Sequence, residues 1–395
     1  MSEELIRSNR GKKRLLVLAS TFPRWAGDTE ARFVLDLSNR LADKFDVTVL
    51  APFSPDSAER ERLERVQVRR FHYCPIDKWS TLTAPGSIMG NLKRRPYLGL
   101  LLPLFFLCQV LAILRELRSG EYDFIHAHWI IPQSISLWIA RWFTKAPPIV
   151  VTAHGGDAAL SRLPVLGQLA QICLRGSEAY TVVAAHLRSH GLESAILAPM
   201  GVDIDRFSKV AGKGDPRLVF IGRLARKKGV DILLQALPSL PKDLELYVIG
   251  DGEERKGLEK MGTRANFVGA LNHDEIIEFL RQTDIICLPF RDAGPWDSDG
   301  TPTVLLEMAA AGLAIVASDI AAIDQTFSDD AVTKFKAADV NDLIEKLRSL
   351  IRNPDRVESQ VSAARKEVKR FYWDTVAETY ADLFSKTLIT ASKTG

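Results

Sequence analysis

The sequence predicts an α/β fold of two tandem Rossmann-like, doubly wound domains with an interdomain cleft. Three observations carry the prediction. A chain of 395 residues is too long for one ordinary core. Short, near-continuously apolar β-branched runs alternate with longer amphipathic ones almost from end to end, as expected of parallel sheets covered on both faces. After MGVDIDRF a polar linker, residues 208–217, intervenes and the alternation starts afresh, dividing residues 1–207 from 208–372.

In the first domain RLLVLAS, DVTVLAP, FIHAHW, PIVVTAHG and YTVVAA read as strands. Between the first two, EARFVLDLSNRLADKF sets Phe33, Val34, Leu37 and Leu41 along one side of a helix. In the second domain RLVFIGRL, LELYVIGDG, NFVGAL, DIICLPF and LAIVASD are strands, and KKGVDILLQALPSL, EERKGLEKM, HDEIIEFLRQ and TPTVLLEMAAAG are helices. FYWDTVAETYADLF opens a long amphipathic terminal helix that accounts for residues 373–395. Open α/β sheets bind ligands at strand carboxyl ends, so a ligand between the domains is the expectation.

The net charge of +3 gives no reason to expect nucleic acid as a partner. Four cysteines, Cys74, Cys108, Cys173 and Cys287, lack CxxC spacing, which favours a reducing cytoplasm. The N-terminus has acids before its basic cluster and lacks the order of regions of a secretory signal. The apolar segment at residues 98–114 follows KRRP. It reads as a buried or surface-docked helix, as a membrane-surface helix with Lys93, Arg94 and Arg95 facing lipid phosphates, or as a short span interrupted by Pro103 and Gln109. Peripheral membrane contact through residues 93–114 is therefore carried forward.

Several loops carry chemistry. The strand RLVFIG ends in Gly222 and Arg223, with Lys227, Lys228 and Gly229 heading the next helix. A planar fork and a mobile ammonium suit a pyrophosphate leaving group, whereas a solvated basic loop is the bland alternative. Gly250, Asp251 and Gly252 form a turn open to a ligand's approach, or a turn alone. Thr301 suits a helix N-cap and Pro302 the first helical position, so the free N–H groups beyond them make an anion site. Glu307 lies too far into the helix to compete for those amides and fits vicinal ribose hydroxyls, while Asp299 and Gly300 in the preceding loop face whatever lies beyond the phosphates; an acidic surface loop before an amphipathic helix is the plain alternative. His126 and His128 of HAHW share a strand face, and with His154 and Asp157 of HGGD they raise a metal-ligand alternative. The loop after the first strand contains Gly27, Asp28 and Thr29, which meet a leaving phosphate or an acceptor or form a plain strand-to-helix connection.

GRLARKKGVDILLQAL, YVIGDGEERKGLE, NFVGALNHDEI, DIICLPF and above all DGTPTVLLEMAAAGLAIVASD resemble retaining glycosyltransferases of family four, with the GT-B fold, over nearly the whole chain. The resemblance implies a nucleotide-sugar co-substrate on the C-terminal domain, an acceptor on the N-terminal domain, no further cofactor and no required metal. It implies that Arg223 and Lys228 hold the donor pyrophosphate, Glu307 the ribose, and the amides around Thr303 and Val304 the distal phosphate. Val268 and Leu271 would flank the turn near the base, and His154 would lie near the donor sugar and acceptor. Asp299 stands where the family's paired-acid signature has Glu, and Gly27 is single where many members have two glycines. Asp28, Thr29, His128 and Asp157 are the acceptor-side candidates. The reading is a hexosyltransferase, UDP-sugars first, acting on a sugar or glycolipid of a bacterial surface from the cytoplasmic side, with the terminal helix packed back on the N-terminal domain. A soluble small-molecule acceptor, a GT-B epimerase or phosphorylase, a non-catalytic nucleotide-sugar sensor and a metal hydrolase are the alternatives.

Overall fold

The computed structural model describes residues 11–394 except 29, 121, 161–162, 190, 208–216 and 292–300. The chain divides into two compact units. The first extends to Val183, takes in Leu187–Pro199 and is completed by the segment from Trp373 onward.

The first unit contains β1 (Lys13–Leu18), β2 (Phe45–Pro52), β3 (Arg60–Leu63), β4 (Val66–Phe71), β5 (Phe124–His128), β6 (Ile149–Ala153), β7 (Ala179–Val182) and β8 (Ile196–Leu197), in the spatial order β3-β4-β2-β1-β5-β6-β7-β8. Only the β3–β4 pair is antiparallel. This hairpin went unread because RERLERVQVRR is charged and half-solvated, unlike the wholly buried β5 and β6. The chain turns from β2 to β5 on either side of β1, so the loops after β1 and β5 flank a topological switch point.

The terminal helix Trp373–Thr394 packs within this unit. Phe384 meets Phe45 and Phe124 at ring-centroid distances of 5.7 and 5.5 Å. Tyr380, fully buried, reaches Thr152 of β6 at 3.2 Å. The apolar segment forms a helical turn at Pro96–Leu101 and the helix Leu102–Ser119. Pro103 falls in its first turn, where a missing N–H costs nothing, and Gln109 is buried with its carbonyl accepting from Ser136 Oγ at 2.7 Å. Neither residue interrupts the helix. Phe105, Val110, Ile113 and Leu114 are buried, whereas Leu100, Leu107 and Leu111 remain 84%, 55% and 42% exposed. The 24-residue stretch Pro96–Ser119 is long and apolar enough to cross a membrane.

The second unit contains β9 (Arg217–Ile221), β10 (Glu245–Ile249), β11 (Asn266–Gly269), β12 (Ile285–Leu288), β13 (Ala314–Ser318) and β14 (Thr333–Phe335), all parallel, in the order β11-β10-β9-β12-β13-β14. Its switch point lies between β9 and β12. It takes in Ala184–His186 and then runs from Met200, upstream of the expected start at 208, to Tyr372. Val202 pairs with Tyr372, its N–H donating to Phe371 O at 2.8 Å, and Phe207 is buried in the second core, so MGVDIDRF belongs to this unit. Residues 208–216 of the expected linker lie outside the described residues.

Candidate functional site

In the second unit the expected donor residues gather at strand carboxyl ends. Gly222 N–H donates to Ile249 O at 3.0 Å and Gly250 N–H to Gly269 O at 2.8 Å, which brings the ends of β9, β10 and β11 side by side. A Cβ on Gly250 would lie 1.9 Å from Gly222 O. The G-D-G turn is thus glycine-rich because the protein's own backbone fills the approach that the sequence left open to a ligand. Val268 is partly exposed beside Gly269, and Leu271 rests against the core.

Arg223 lies on the surface and its Nη2 and Nε donate to Glu253 Oε2 at 3.0 and 3.2 Å. Lys228 ends the 3-10 turn Arg226–Lys228, ahead of the helix Val230–Ala236, and its ammonium lies 4.2 Å from the centroid of the buried Phe290 ring. Gly229, at φ 65°, touches Pro289 so closely that a Cβ would lie 1.8 Å from its carbonyl oxygen. Arg291 completes the brace: its N–H donates to Lys227 O at 2.8 Å and its guanidinium grips Asp231 through two bonds of 2.6 Å. Burial raises the Asp231 carboxyl, but the Arg291 bonds outweigh it and hold the group below the ordinary carboxylate range. The loop carrying Arg223 and Lys228 is therefore pinned at both ends.

The helix Thr303–Ala311 starts one residue later than the sequence suggested. Its N-cap is Pro302, not Thr301, and no side chain caps it; Thr301 Oγ1 lies instead 3.3 Å from Thr326 Oγ1. Proline's fixed φ suits either position, which is why the two cannot be told apart from composition. Leu305, Leu306, Met308 and the three alanines are buried, anchoring the helix start. Thr303 is exposed, and Val304 and Glu307 are half-buried. Asp299 and Gly300 lie outside the described residues, as does Thr29.

In the first unit, strand alternation does place His126 and His128 on one face, with ring centroids 4.2 Å apart. His128 Nδ1 lies 2.9 Å from His154 Nε2, and His126 Nε2 lies 2.8 Å from Thr152 Oγ1. Among the described residues no group of three His, Cys, Asp or Glu side chains is placed to hold a metal ion. The hydrogen bonds His126–Thr152 and His128–His154 engage one nitrogen of each ring within the protein. Burial lowers the pKa of all three imidazoles, that of His128 to about 3.

Two expected acceptor-side acids are engaged internally. Asp157 is buried; Oδ1 accepts from His154 N at 2.9 Å and Gly155 N at 3.1 Å, and Oδ2 from Ile130 N at 2.7 Å. It shapes the backbone around His154. Asp28, also buried, accepts from the backbone N and Nε of Arg24 at 2.9 and 2.8 Å. Burial raises its pKa, but these bonds prevail and hold the carboxyl below its ordinary range. Gly27, at φ 91°, makes the preceding turn and has open space where a Cβ would lie.

Sequence reasoning missed the aromatic frame of His154. Trp129 and Phe33 lie 4.9 and 5.0 Å from its ring. Trp129 follows HAH directly, a signal within reach; Tyr380, whose ring lies 5.0 Å from that of His126, comes from more than two hundred residues downstream, and no local pattern announces that.

Comparisons with known proteins agree with this architecture. Residues 31–206 match the model described as Glycosyltransferase Family 4, and residues 202–367 the model described as Glycosyl transferases group 1. The chain is 29% identical over 300 residues to phosphatidyl-myo-inositol mannosyltransferase of Mycobacterium leprae, covering 71% of this chain and 77% of that one. It is 26% identical over 266 residues to GDP-mannose-dependent alpha-(1-6)-phosphatidylinositol monomannoside mannosyltransferase of Mycobacterium tuberculosis, covering 60% and 69%. Its fold is shared with sucrose-phosphate synthase from Thermosynechococcus elongatus, with a TM-score of 0.76, 16% identity and coverage of 96% and 100%. With two matched models in tandem and both Rossmann-like sheets in place, the chain belongs to glycosyltransferase family four and has the GT-B fold.

Proposed function

We propose that the chain is a retaining, metal-independent hexosyltransferase that moves a sugar from a nucleotide-sugar donor, bound by the second unit, to a hydroxyl of a glycolipid acceptor bound by the first. The observation that carries this reading is the row of strand ends at Gly222, Gly250 and Gly269, with the pinned Arg223–Lys228 loop beside it. Arg223 and Lys228 meet the diphosphate, the uncapped N–H groups at Thr303 and Val304 receive its distal phosphate, Glu307 takes the ribose hydroxyls, and Val268 and Leu271 border the base. Asp299, with Gly300 and Thr301, is assigned to the sugar. As the bond from the anomeric carbon to the phosphate oxygen breaks, the departing diphosphate takes the proton of the acceptor hydroxyl that attacks from the same face. The protein supplies position and charge neutralisation, and no further cofactor enters.

The mannosyltransferase relatives act, by their names, on phosphatidylinositol lipids, and one uses GDP-mannose. They move GDP-mannose ahead of the UDP-sugars as the first donor to test. The exposed stripe of Leu100, Leu107 and Leu111, preceded by the exposed Lys93, Arg94 and Arg95, supports docking of the first unit on the inner face of the plasma membrane. A thermal-shift panel of nucleotide sugars tests the donor site. A true donor at a hundredfold its dissociation constant adds about 2.7 kcal/mol of stability, and no stabilisation by any of them contradicts the reading.

A further inference from the structure

We propose that His128 is a positioning residue that sets the tautomer of His154, so that His154 presents an N–H at Nδ1 to a sugar hydroxyl oxygen and acts as a hydrogen-bond donor, not as a base. The inference deepens the proposed function, on which the choice of a sugar ligand rests.

Burial keeps both rings neutral at pH 7, so each carries one proton. The 2.9 Å contact between His128 Nδ1 and His154 Nε2 holds one of them. If His154 were the donor, the His128 proton would sit on Nε2, which is buried and has no partner among the described residues. A buried N–H without an acceptor is rarer and costlier than an unused lone pair. The proton therefore lies on His128 Nδ1, which donates to His154 Nε2, and the His154 proton is left on Nδ1. Among the described residues that atom has no partner, and the His154 side chain is only partly buried.

The neighbouring groups obey the same rule. His126 Nδ1 is also buried and unpartnered, so His126 Nε2–H donates to Thr152 Oγ1. Thr181 donates to that oxygen as well, at 2.8 Å. The Thr152 proton then goes to Tyr380 Oη, whose own proton goes to Ala198 O, both at 3.2 Å. The chain closes without one orphaned donor. Phe33 and Trp129 hold the plane of the His154 ring, and Asp157 fixes its backbone.

The test is a long-range 1H–15N correlation spectrum of the full chain labelled with 15N-histidine, with His154 assigned from a His154→Gln variant. The expected spectrum shows His154 protonated on Nδ1, with a pyridine-type Nε2. Replacement of His128 by Phe removes that preference and lowers kcat at least tenfold with little change in donor KM, whereas His128→Asn, which keeps a donor near the Nδ1 position, restores both. A wild-type His154 protonated on Nε2 overturns the proposal, as does an unchanged His154 pattern in the Phe variant. The wild-type spectrum decides even if the Phe variant fails to fold. It needs no turnover, so it is read independently of whether a nucleotide sugar proves to be the substrate.

Discussion

The Arg223 guanidinium rests on Glu253 at 3.0 Å, with the two side chains 57% and 55% exposed. An ion pair this exposed contributes only about 0 to 1 kcal/mol, so a diphosphate can replace the carboxylate at little cost. Arg223→Ala and Lys228→Ala should each raise the barrier by about 3 kcal/mol, roughly 150-fold in kcat/KM, whereas Glu253→Gln should leave it within about fivefold. Steady-state kinetics checks this. Normal turnover in both alanine variants would remove the loop from the donor site.

Glu307, half-buried on the helix Thr303–Ala311, is assigned to ribose hydroxyls. A charge-assisted pair of this kind contributes about 1.5 to 3 kcal/mol. Glu307→Gln should therefore weaken nucleotide-sugar binding by roughly 10- to 150-fold in calorimetry. Equal affinity in the variant would place the ribose elsewhere.

The buried His126 and His128 and the half-buried His154 make the fold acid-labile. Their folded pKa values lie below the unfolded value near 6.5, so the unfolded chain binds more protons between the two. Their stabilisation is complete above about pH 6.5 and drains away as pH falls towards the folded values. His128, depressed to about 3 by burial, alone removes about 2 kcal/mol by pH 5. Urea unfolding between pH 8 and pH 5 should show this loss, and His126→Phe should flatten the slope; a slope unchanged by that substitution would contradict it.

The stripe on Pro96–Ser119 predicts lipid dependence. Leu107→Glu with Leu111→Glu should abolish sedimentation with vesicles containing anionic phospholipid, and high salt should weaken binding through Lys93, Arg94 and Arg95. Because both leucines are exposed, the melting temperature should hold. Vesicle binding that survives both changes would assign the stripe another role.

Strands such as β5, β6, β12 and β13 were legible because each is a short, continuously buried apolar run, and the loops carrying Arg223 and Gly250 because glycines and basic residues punctuate strand ends. The β3–β4 hairpin was not, since its charged alternation resembles a loop, nor was β14, a mere three residues. At the site, Arg223, Lys228 and the helix at Thr303 could be named from local spacing. The pairing of Asp157 with backbone N–H groups could not, because a carboxylate in HGGD looks the same in sequence whether it faces a substrate or Ile130 N. The Tyr380–Thr152–His126 chain was hidden for a different reason: it joins residues that only the return of the terminal helix brings together.

The central claim is glycosyl transfer from a nucleotide sugar with retention. It is tested most directly by incubating the protein with GDP-mannose, and in parallel with UDP-hexoses, and phosphatidylinositol vesicles, then following nucleotide release and the anomeric coupling of the lipid product by NMR. Release of nucleoside diphosphate in step with a lipid-linked hexose of the donor's own α configuration is the expected result. A β-linked product, or no transfer from any of these donors, would contradict it.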